Sequence, residues 1–533
     1  MSTPTQTTHE PYFLAADLGT SALKAGLFTG SGQQLAAALV EYPTRYPRPA
    51  WAEQQPDDWW QAACVAIRSC LERAQLPPQA IRAVAISGQA PSCVPIDRQG
   101  RPLRPAILWI DRRATREVSW IEEHVGQEQV WRVSGNHIDG YYGGVKWLWF
   151  RNREPDLFGQ TWKILQAHSY VIFRLTGEVV TDLSHAGLCS PCFDLHYKRW
   201  SVDMCETLGI PLAMLPELAP SHQIIGRVSQ TGAQASGLAP GTFVVTGAGD
   251  FACCTLGCGV IDPGQASQML GTAGNLAMPR GKRIDPDPRL VNTLHATGDY
   301  LTFGSTYAGG VVQWFKQELG AAEIQAGQQL GRSAYELLDE AAASIAPGAE
   351  GLILLPYFMG ERTPLWDAQA RGVYLGISPY HTRAHLYRAA LEGVAYAFRH
   401  MVEIVEERGG RVDEIVAVNG GARSALWRQI FADVLGARIK HYPGGAATLL
   451  GDVALAGVGI GCFRNFDVVR HWQHIVETNE PRPEVHTLYR DYYTLFRHTY
   501  AQLQSQFKQL AELGQRATRI TTIQSATGEE ASL

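Results

Sequence analysis

The chain has 533 residues, 45% hydrophobic and 18% charged, with a formal net charge of −5. That length supports two or more domains with large cores, and the slightly acidic balance offers no field to gather nucleic acid or an anionic membrane. The expected partner is therefore a small molecule, with no nucleic acid and no membrane. Residues 1–11 lack the basic and apolar regions of an export signal, so a cytoplasmic location is expected. The 10 cysteines are sparse and do not fall into paired CxxC spacing. Cys253, Cys254 and Cys258 cluster, but read as small buried apolar residues rather than a metal site.

From Tyr12 an apolar run ends in Asp17, a Gly19-Thr20-Ser21 turn follows, and two further runs at 23–28 and 35–40 complete a set of antiparallel strands. Residues 59–74 have helical apolar spacing, and 81–86 form a short β-rich run before Ser87-Gly88-Gln89. A sheet covered by helices, an α/β architecture, is implied. The least charged stretch, 243–261, is glycine-rich and carries Asp250 at its middle, so it reads as an active-site turn and not a membrane span. Turn residues Asp262-Pro263-Gly264 mark a lobe boundary, giving lobes at 12–262 and 263–512. Leu270-Gly271-Thr272-Ala273 echoes Leu18-Gly19-Thr20-Ser21, which suggests that the two lobes are related. The second lobe holds a helix with Leu386, Ala390, Val394, Ala397, Met401 and Ile404 on one face, stopped by Gly409-Gly410. A strand at 415–418, the Gly420-Gly421 turn and a helix at 426–435 follow, then an amphipathic segment at 488–513. Residues 513–533 are polar and small, and are expected to be disordered.

Neither a GxxxxGK[ST] phosphate loop nor a GxGxxG fingerprint occurs. Asp17-Leu18-Gly19-Thr20-Ser21 offers another cradle: a carboxylate at a strand end, a glycine that lets backbone approach an anion, and hydroxyls to bind it. A plain β-turn is the competing reading, and Lys24 either adds positive charge there or is solvated. Gly247-Ala248-Gly249-Asp250 sets a carboxylate among apolar residues, where poor solvation raises its pKa and improves it as a proton acceptor for a hydroxyl. A turn-capping aspartate is the alternative.

Across residues 12–461 the order of motifs resembles the FGGY carbohydrate kinases. The resemblance rests on Asp17-Leu18-Gly19-Thr20-Ser21, Trp59-Trp60, Ile107 to Arg112, Lys146-Trp147-Leu148-Trp149, Gly249-Asp250, Leu270-Gly271-Thr272, Gly360-Glu361-Arg362-Thr363-Pro364 and Asn419 to Ser424. The stretch from Gly372 through Tyr374, Gly376-Ile377, His385-Leu386, Ala389-Ala390 and Leu391-Glu392 fits the family's C-terminal signature. The resemblance implies two actin-like, ribonuclease H-like lobes with ATP and Mg²⁺ in a cleft between them, closing on a small sugar or polyol. It implies Asp250 as catalytic base and Asp17 near the metal. Thr20, Ser21, Lys24, Thr272, Gly309, Gln313 and Gly421 would meet ATP, while Ala425 stands where some relatives have an adenine-contacting asparagine. The assembly state, a homodimer included, stays open.

Within the family the wording is closest to the xylulokinases, which implies conversion of D-xylulose to D-xylulose 5-phosphate. Gln89, Ala90, Pro91, Trp109, Asp111, Asp250 and Phe251 would then face the sugar. Xylulokinases carry a Met-His pair where this chain has Ala90-Pro91, and an asparagine where it has Phe251. The pocket is thus less polar than the family norm, and His137, Tyr141 and Tyr142 are either replacement polar contacts or core and rim residues. Another ketose or polyol as substrate, an actin-like ATPase, and a sugar sensor of weak catalysis are the alternatives.

Overall fold

The computed structural model describes residues 10–530. Two compact units emerge, and the chain enters the first of them three times. That unit gathers the chain up to Ser267, then Ala277–Thr302 and Gly444–His474. The second gathers Gln268–Leu276, Phe303–Pro443 and the chain from Ile475. This division departs from a single boundary at 262, because two later segments return to the first unit.

In the first unit β1 (Tyr12–Leu18), β2 (Ala22–Thr29) and β3 (Gln34–Glu41) form an antiparallel meander. Then come α1 (Pro56–Ala74), β4 (Ile81–Gly88), which pairs parallel to β1, β5 (Ile224–Arg227) and β6 (Phe243–Val245). The sheet order is β5-β6-β4-β1-β2-β3. Phe13, Leu14, Ala15, Ala16 and Leu18 are all fully buried, as expected of a central strand covered on both faces. α1 covers β2 and β3 with Trp59, Ala63, Ile67 and Cys70, while the helix Ala447–Gly459 packs on β1 and β4. α1 starts on Pro56 with Asp57 and Asp58 in its first turn, a favourable arrangement for an N-terminus.

The same sheet brings together two segments far apart in sequence. Asp17 lies opposite Lys24 on β2 and Ser87 on β4. Beyond β4, Gly88 bridges to Gly249, with the Gly88 amide donating to the Ala248 carbonyl at 3.2 Å. Gly247 has φ +75°, and a Cβ there would stand 1.9 Å from the Ile86 carbonyl oxygen, so only glycine lets the chain pass this close to β4. The chain then enters α2 (Asp250–Gly257), with Asp250 as its first residue.

Strands β7 (Gly264–Leu270), β8 (Ala273–Gly281) and β9 (Tyr300–Tyr307) carry the chain through the division. With β10 (Val412–Val418), β11 (Arg438–His441) and β12 (Glu477–Asn479) they run in the order β9-β8-β7-β10-β11-β12. Helices α3 (Gly309–Leu319), α4 (Ala334–Ala343), α5 (Arg383–Glu407) and α6 (Ala425–Leu435) belong to the second unit. α5 begins with a capping box between Thr382 and His385. Inside it, Arg388 and Glu392 pair at 2.6 Å, and the Tyr489 hydroxyl donates to Glu392 at 2.6 Å, which satisfies a charged pair taken out of water. The terminal helix α7 (Pro483–Glu530) continues through the stretch read from sequence as a disordered tail. Residues 1–9 and 531–533 lie outside the described residues, and with them most of the stretch inspected for an export signal.

Candidate active site

The turn after β1 gathers much of what the sequence points to. The Gly19 amide donates to the Ala22 carbonyl at 3.1 Å, closing a tight link between β1 and β2. Thr20 is half-buried and Ser21 exposed. The Thr20 hydroxyl accepts the indole N–H of Trp109 at 3.0 Å, which joins a residue expected at the phosphates to one expected at the sugar. Lys24 is tied down, its ammonium donating to the Gly445 carbonyl. Asp17 keeps one buried carboxylate oxygen, Oδ1, without a hydrogen-bond partner. Burial, then the charge of Asp250, push the Asp17 carboxyl up to about 7, with Lys24 pulling the other way.

Asp250 is half-buried, and its Oδ1 accepts the Phe251 amide at 2.7 Å. Burial raises its carboxyl to about 6, while the Phe251 hydrogen bond and the His185 charge oppose that rise. A carboxyl so placed titrates close to the working range of a general base. The opening of α2 thus places a carboxyl of raised pKa, and the end of β1 supplies an unsatisfied oxygen close enough to feel its charge.

The residues expected against the sugar divide. Gln89 is buried, donates to Gln54 at 2.9 Å and leaves its own carbonyl oxygen unpartnered. Ala90 and Pro91 form a buried apolar wall joined by a cis peptide bond, and Phe251 is buried too. The Tyr141 hydroxyl donates to the Ala90 carbonyl at 3.3 Å, and the Tyr141 ring meets Trp109 edge-on with centroids 6.5 Å apart. Tyr142 donates to Asn136 at 3.2 Å, and burial lowers the His137 pKa. Asp111 is held by the protein on both oxygens. Its Oδ2 accepts the Ala52 amide at 2.6 Å and its Oδ1 the Arg113 amide at 2.9 Å, with the Arg113 guanidinium on both oxygens. Arg113 also pairs with Glu53 at 2.7 Å and lies 3.7 Å over the Trp51 ring. Asp111 therefore builds the wall behind the Trp109 turn, with both oxygens held by the protein.

In the second unit a cavity of about 490 Å³ collects the remaining expected residues. Thr272, Gly309, Gln313 and Gly421 all line it, with Tyr335, Asp339, Tyr387 and Trp427. The Leu270-Gly271-Thr272 turn is one residue tighter than its counterpart after β1: the Gly271 amide donates to the Ala273 carbonyl at 3.2 Å, and Gly309 and Gly310 amides donate to the Gly271 and Thr272 carbonyls at 3.0 Å. The Ser424 hydroxyl caps α6 through the Trp427 amide at 3.0 Å, fixing the Gly420-Gly421 side of the cavity. Ala425 is exposed and is not among its lining residues.

Residues 12–257 match the N-terminal domain, and residues 269–460 the C-terminal domain, of the FGGY family of carbohydrate kinases. The chain belongs to that family. It is a sugar kinase, with ATP as phosphoryl donor and a sugar as acceptor. The kinase is 31% identical over 496 residues to a xylulose kinase of Staphylococcus epidermidis, covering 92% of this chain and 96% of that one. It is 28% identical to a gluconokinase of Bacillus subtilis over 94% of its own length and 98% of the relative's. A crystal structure of xylulose kinase from Rhodospirillum rubrum superposes with TM-score 0.87 at 30% identity, covering 93% of this chain and 100% of that one. The two-domain α/β fold expected from the motifs is thus the fold of the kinase. Among the described residues no helix is long and apolar enough to cross a membrane.

Two groups escaped the sequence reading. Asp452, fully buried, accepts the Ser87 hydroxyl at 2.8 Å and the Cys253 thiol at 3.2 Å, and burial raises its pKa well above the usual carboxylate range. Its signal was present: a lone carboxylate in the apolar run from Ala447 to Gly459. The second, His168 with Asp182 and His185, is spread over two short elements and has no spacing to betray it.

Proposed function

We propose that this kinase phosphorylates D-xylulose to D-xylulose 5-phosphate in the cytoplasm, with Asp250 as the base that takes the proton of the attacking hydroxyl. The observation that carries the reading is Asp250 at the start of α2, its pKa raised by burial beside the Asp17 carboxyl. Asp250 holds the proton on its carboxylate as the oxygen it leaves becomes nucleophilic. Gln89, Trp109 and Tyr141 orient the sugar, with Ala90, Pro91 and Phe251 as apolar wall. Thr20, Ser21, Lys24, Thr272, Gly309, Gln313 and Gly421 bind ATP. Asp17 fits a Mg²⁺ ligand, since a hard cation takes oxygen donors and its buried Oδ1 lacks a partner. When bound, Mg²⁺ neutralises charge on the transferring phosphate.

Xylulose is favoured by the 31% identity to a xylulose kinase over nearly the full length of both chains. The buried Ala90-Pro91 wall supports a second reading, in which another ketose or polyol is used equally well. A pocket that hydrogen-bonds a hydroxyl rejects analogues strongly, whereas an apolar wall discriminates by only about 1–3 kcal/mol per group. Measured kcat/KM across ketopentoses, pentitols and gluconate decides. The expected result is turnover of D-xylulose with at least one related ketose or polyol of similar efficiency. Preference for D-xylulose by well over about a hundredfold would contradict the loosened wall, and inactivity on it would remove the substrate while leaving the kinase.

A further inference from the structure

His168, Asp182 and His185 are fully buried in the first unit, and phosphoryl transfer as described leaves them without a task. One ligand atom of each lies within 4.8 Å of the others, as in a metal site. The rings, however, are stacked, with centroids 3.8 Å apart and planes 15° from parallel, so their lone pairs do not converge on one ion. Both rings instead address one carboxylate oxygen. His185 Nδ1 is 2.5 Å from Asp182 Oδ1, and His168 Nε2 is 3.5 Å from it. Asp182 Oδ2 accepts the amides of Ser184 and His185 and the Ser184 hydroxyl, which fixes the short helix Leu183–Gly187.

From this cluster a hydrogen bond leads to the site. The Ser184 hydroxyl oxygen accepts the Gly249 amide at 2.9 Å, and Gly249 is the residue from which Asp250 and α2 begin. His185 Nε2 is buried without a hydrogen-bond partner, and the His185 ring is one of the charges that act on Asp250. No part of His185 is exposed, so it acts through Asp250 and not by touching the sugar.

We propose that Asp182, Ser184 and His185 form a positioning unit for the base: Asp182 orients the His185 ring, Ser184 anchors the Gly249 amide, and together they fix the Asp250 carboxylate for proton acceptance. The inference rests on Asp250 being the base. Asp17, Lys24 and Tyr42 also act on that part of the site, and His168 faces His185 from the other side of the stack.

The test compares His185→Gln and Ser184→Ala with the wild-type kinase. Both are expected to lower kcat by about tenfold to a hundredfold, the usual loss when a supporting hydrogen-bond partner is removed, with the KM for ATP unchanged. In His185→Gln the acidic limb of kcat/KM for the sugar moves to higher pH, because the His185 charge favours ionised Asp250. In Ser184→Ala, which keeps the imidazole, the limb stays in place while kcat falls. Thermal melts and ATP binding confirm that each variant is folded, and if His185→Gln does not fold, Ser184→Ala carries the test alone. Wild-type kcat and an unmoved limb in folded variants would overturn the proposal. So would a stoichiometric transition metal in the purified kinase that His168→Ala removes. Asp250→Asn separates the two levels: full turnover in that variant overturns the base itself, whereas collapse there with normal His185→Gln and Ser184→Ala overturns only the positioning unit.

Discussion

The site in the first unit and the cavity in the second solve different problems with different materials. Around the ends of β1 and β4, three carboxyls, Asp17, Asp250 and Asp452, all have pKa values raised by burial. Such groups are costly to keep in place, and they are justified where protons and metal charge change hands. The cavity beside Thr272 is lined instead by glycines at 271, 309, 420 and 421, which leave its backbone open to close approach. The contrast teaches that one unit gathers buried ionisable groups while the other opens its backbone to a cavity. Substitutions at the three carboxyls should therefore damage turnover, and substitutions along the cavity should damage nucleotide affinity.

The largest effect is expected at the base. Asp250→Asn should cut kcat by about a hundredfold to ten-thousandfold, the worth of a positioned general base, while ATP and sugar still bind. Steady-state kinetics with direct binding measurements check this, and near-normal turnover would remove Asp250 from the role. The opposite signature belongs to the cavity. A Cβ on Gly309 would stand 2.3 Å from the Gly271 carbonyl oxygen, so Gly309→Ala must shift the Gly271-Thr272 turn. The KM for ATP should rise about tenfold or more, with the sugar KM unchanged, because small displacements of a binding turn are costly. An equal rise in both KM values would erase the contrast between the units.

The strands before and after Gly19, the helix at 383–407 and the Gly420-Gly421 turn had clear periodicity and punctuation, and each lies where those signals put it. The echo between Leu18-Gly19-Thr20 and Leu270-Gly271-Thr272 corresponds to two tight turns between neighbouring strands. The return of residues 444–474 to the first unit had no signal, because an apolar helix does not say which sheet it covers. Asp111 shows a related limit: its tie to Ala52 crosses 59 positions of sequence, and only the fold reveals that both its oxygens accept hydrogen bonds from the protein. The tail at 513–530 was read by composition, which underrated a helix already begun at Pro483.

A smaller effect sharpens the comparison from the stability side. Glu361 is buried in the second unit, accepts the Thr306 hydroxyl at 2.6 Å and has its carboxyl pushed up to about 8 by burial. The folded pKa lies above the unfolded value of 4.5, so the stability it contributes is fully present below that value and is lost as pH rises through about 8. Glu361→Gln should therefore show a shallower decline of Tm between about pH 5 and pH 8 than the wild-type kinase. Parallel Tm curves would mean that Glu361 is ionised in the folded kinase.

The most direct measurement of the central claim is ADP release with and without D-xylulose, followed in a coupled assay at saturating ATP and Mg²⁺. If the acid-rich site of the first unit exists to pass a sugar proton to Asp250, ADP should appear only when the sugar is present and should vanish with it in Asp250→Asn. ADP release at the same rate without sugar would contradict the account, because the phosphoryl group would then be going to water with no sugar hydroxyl for Asp250 to serve.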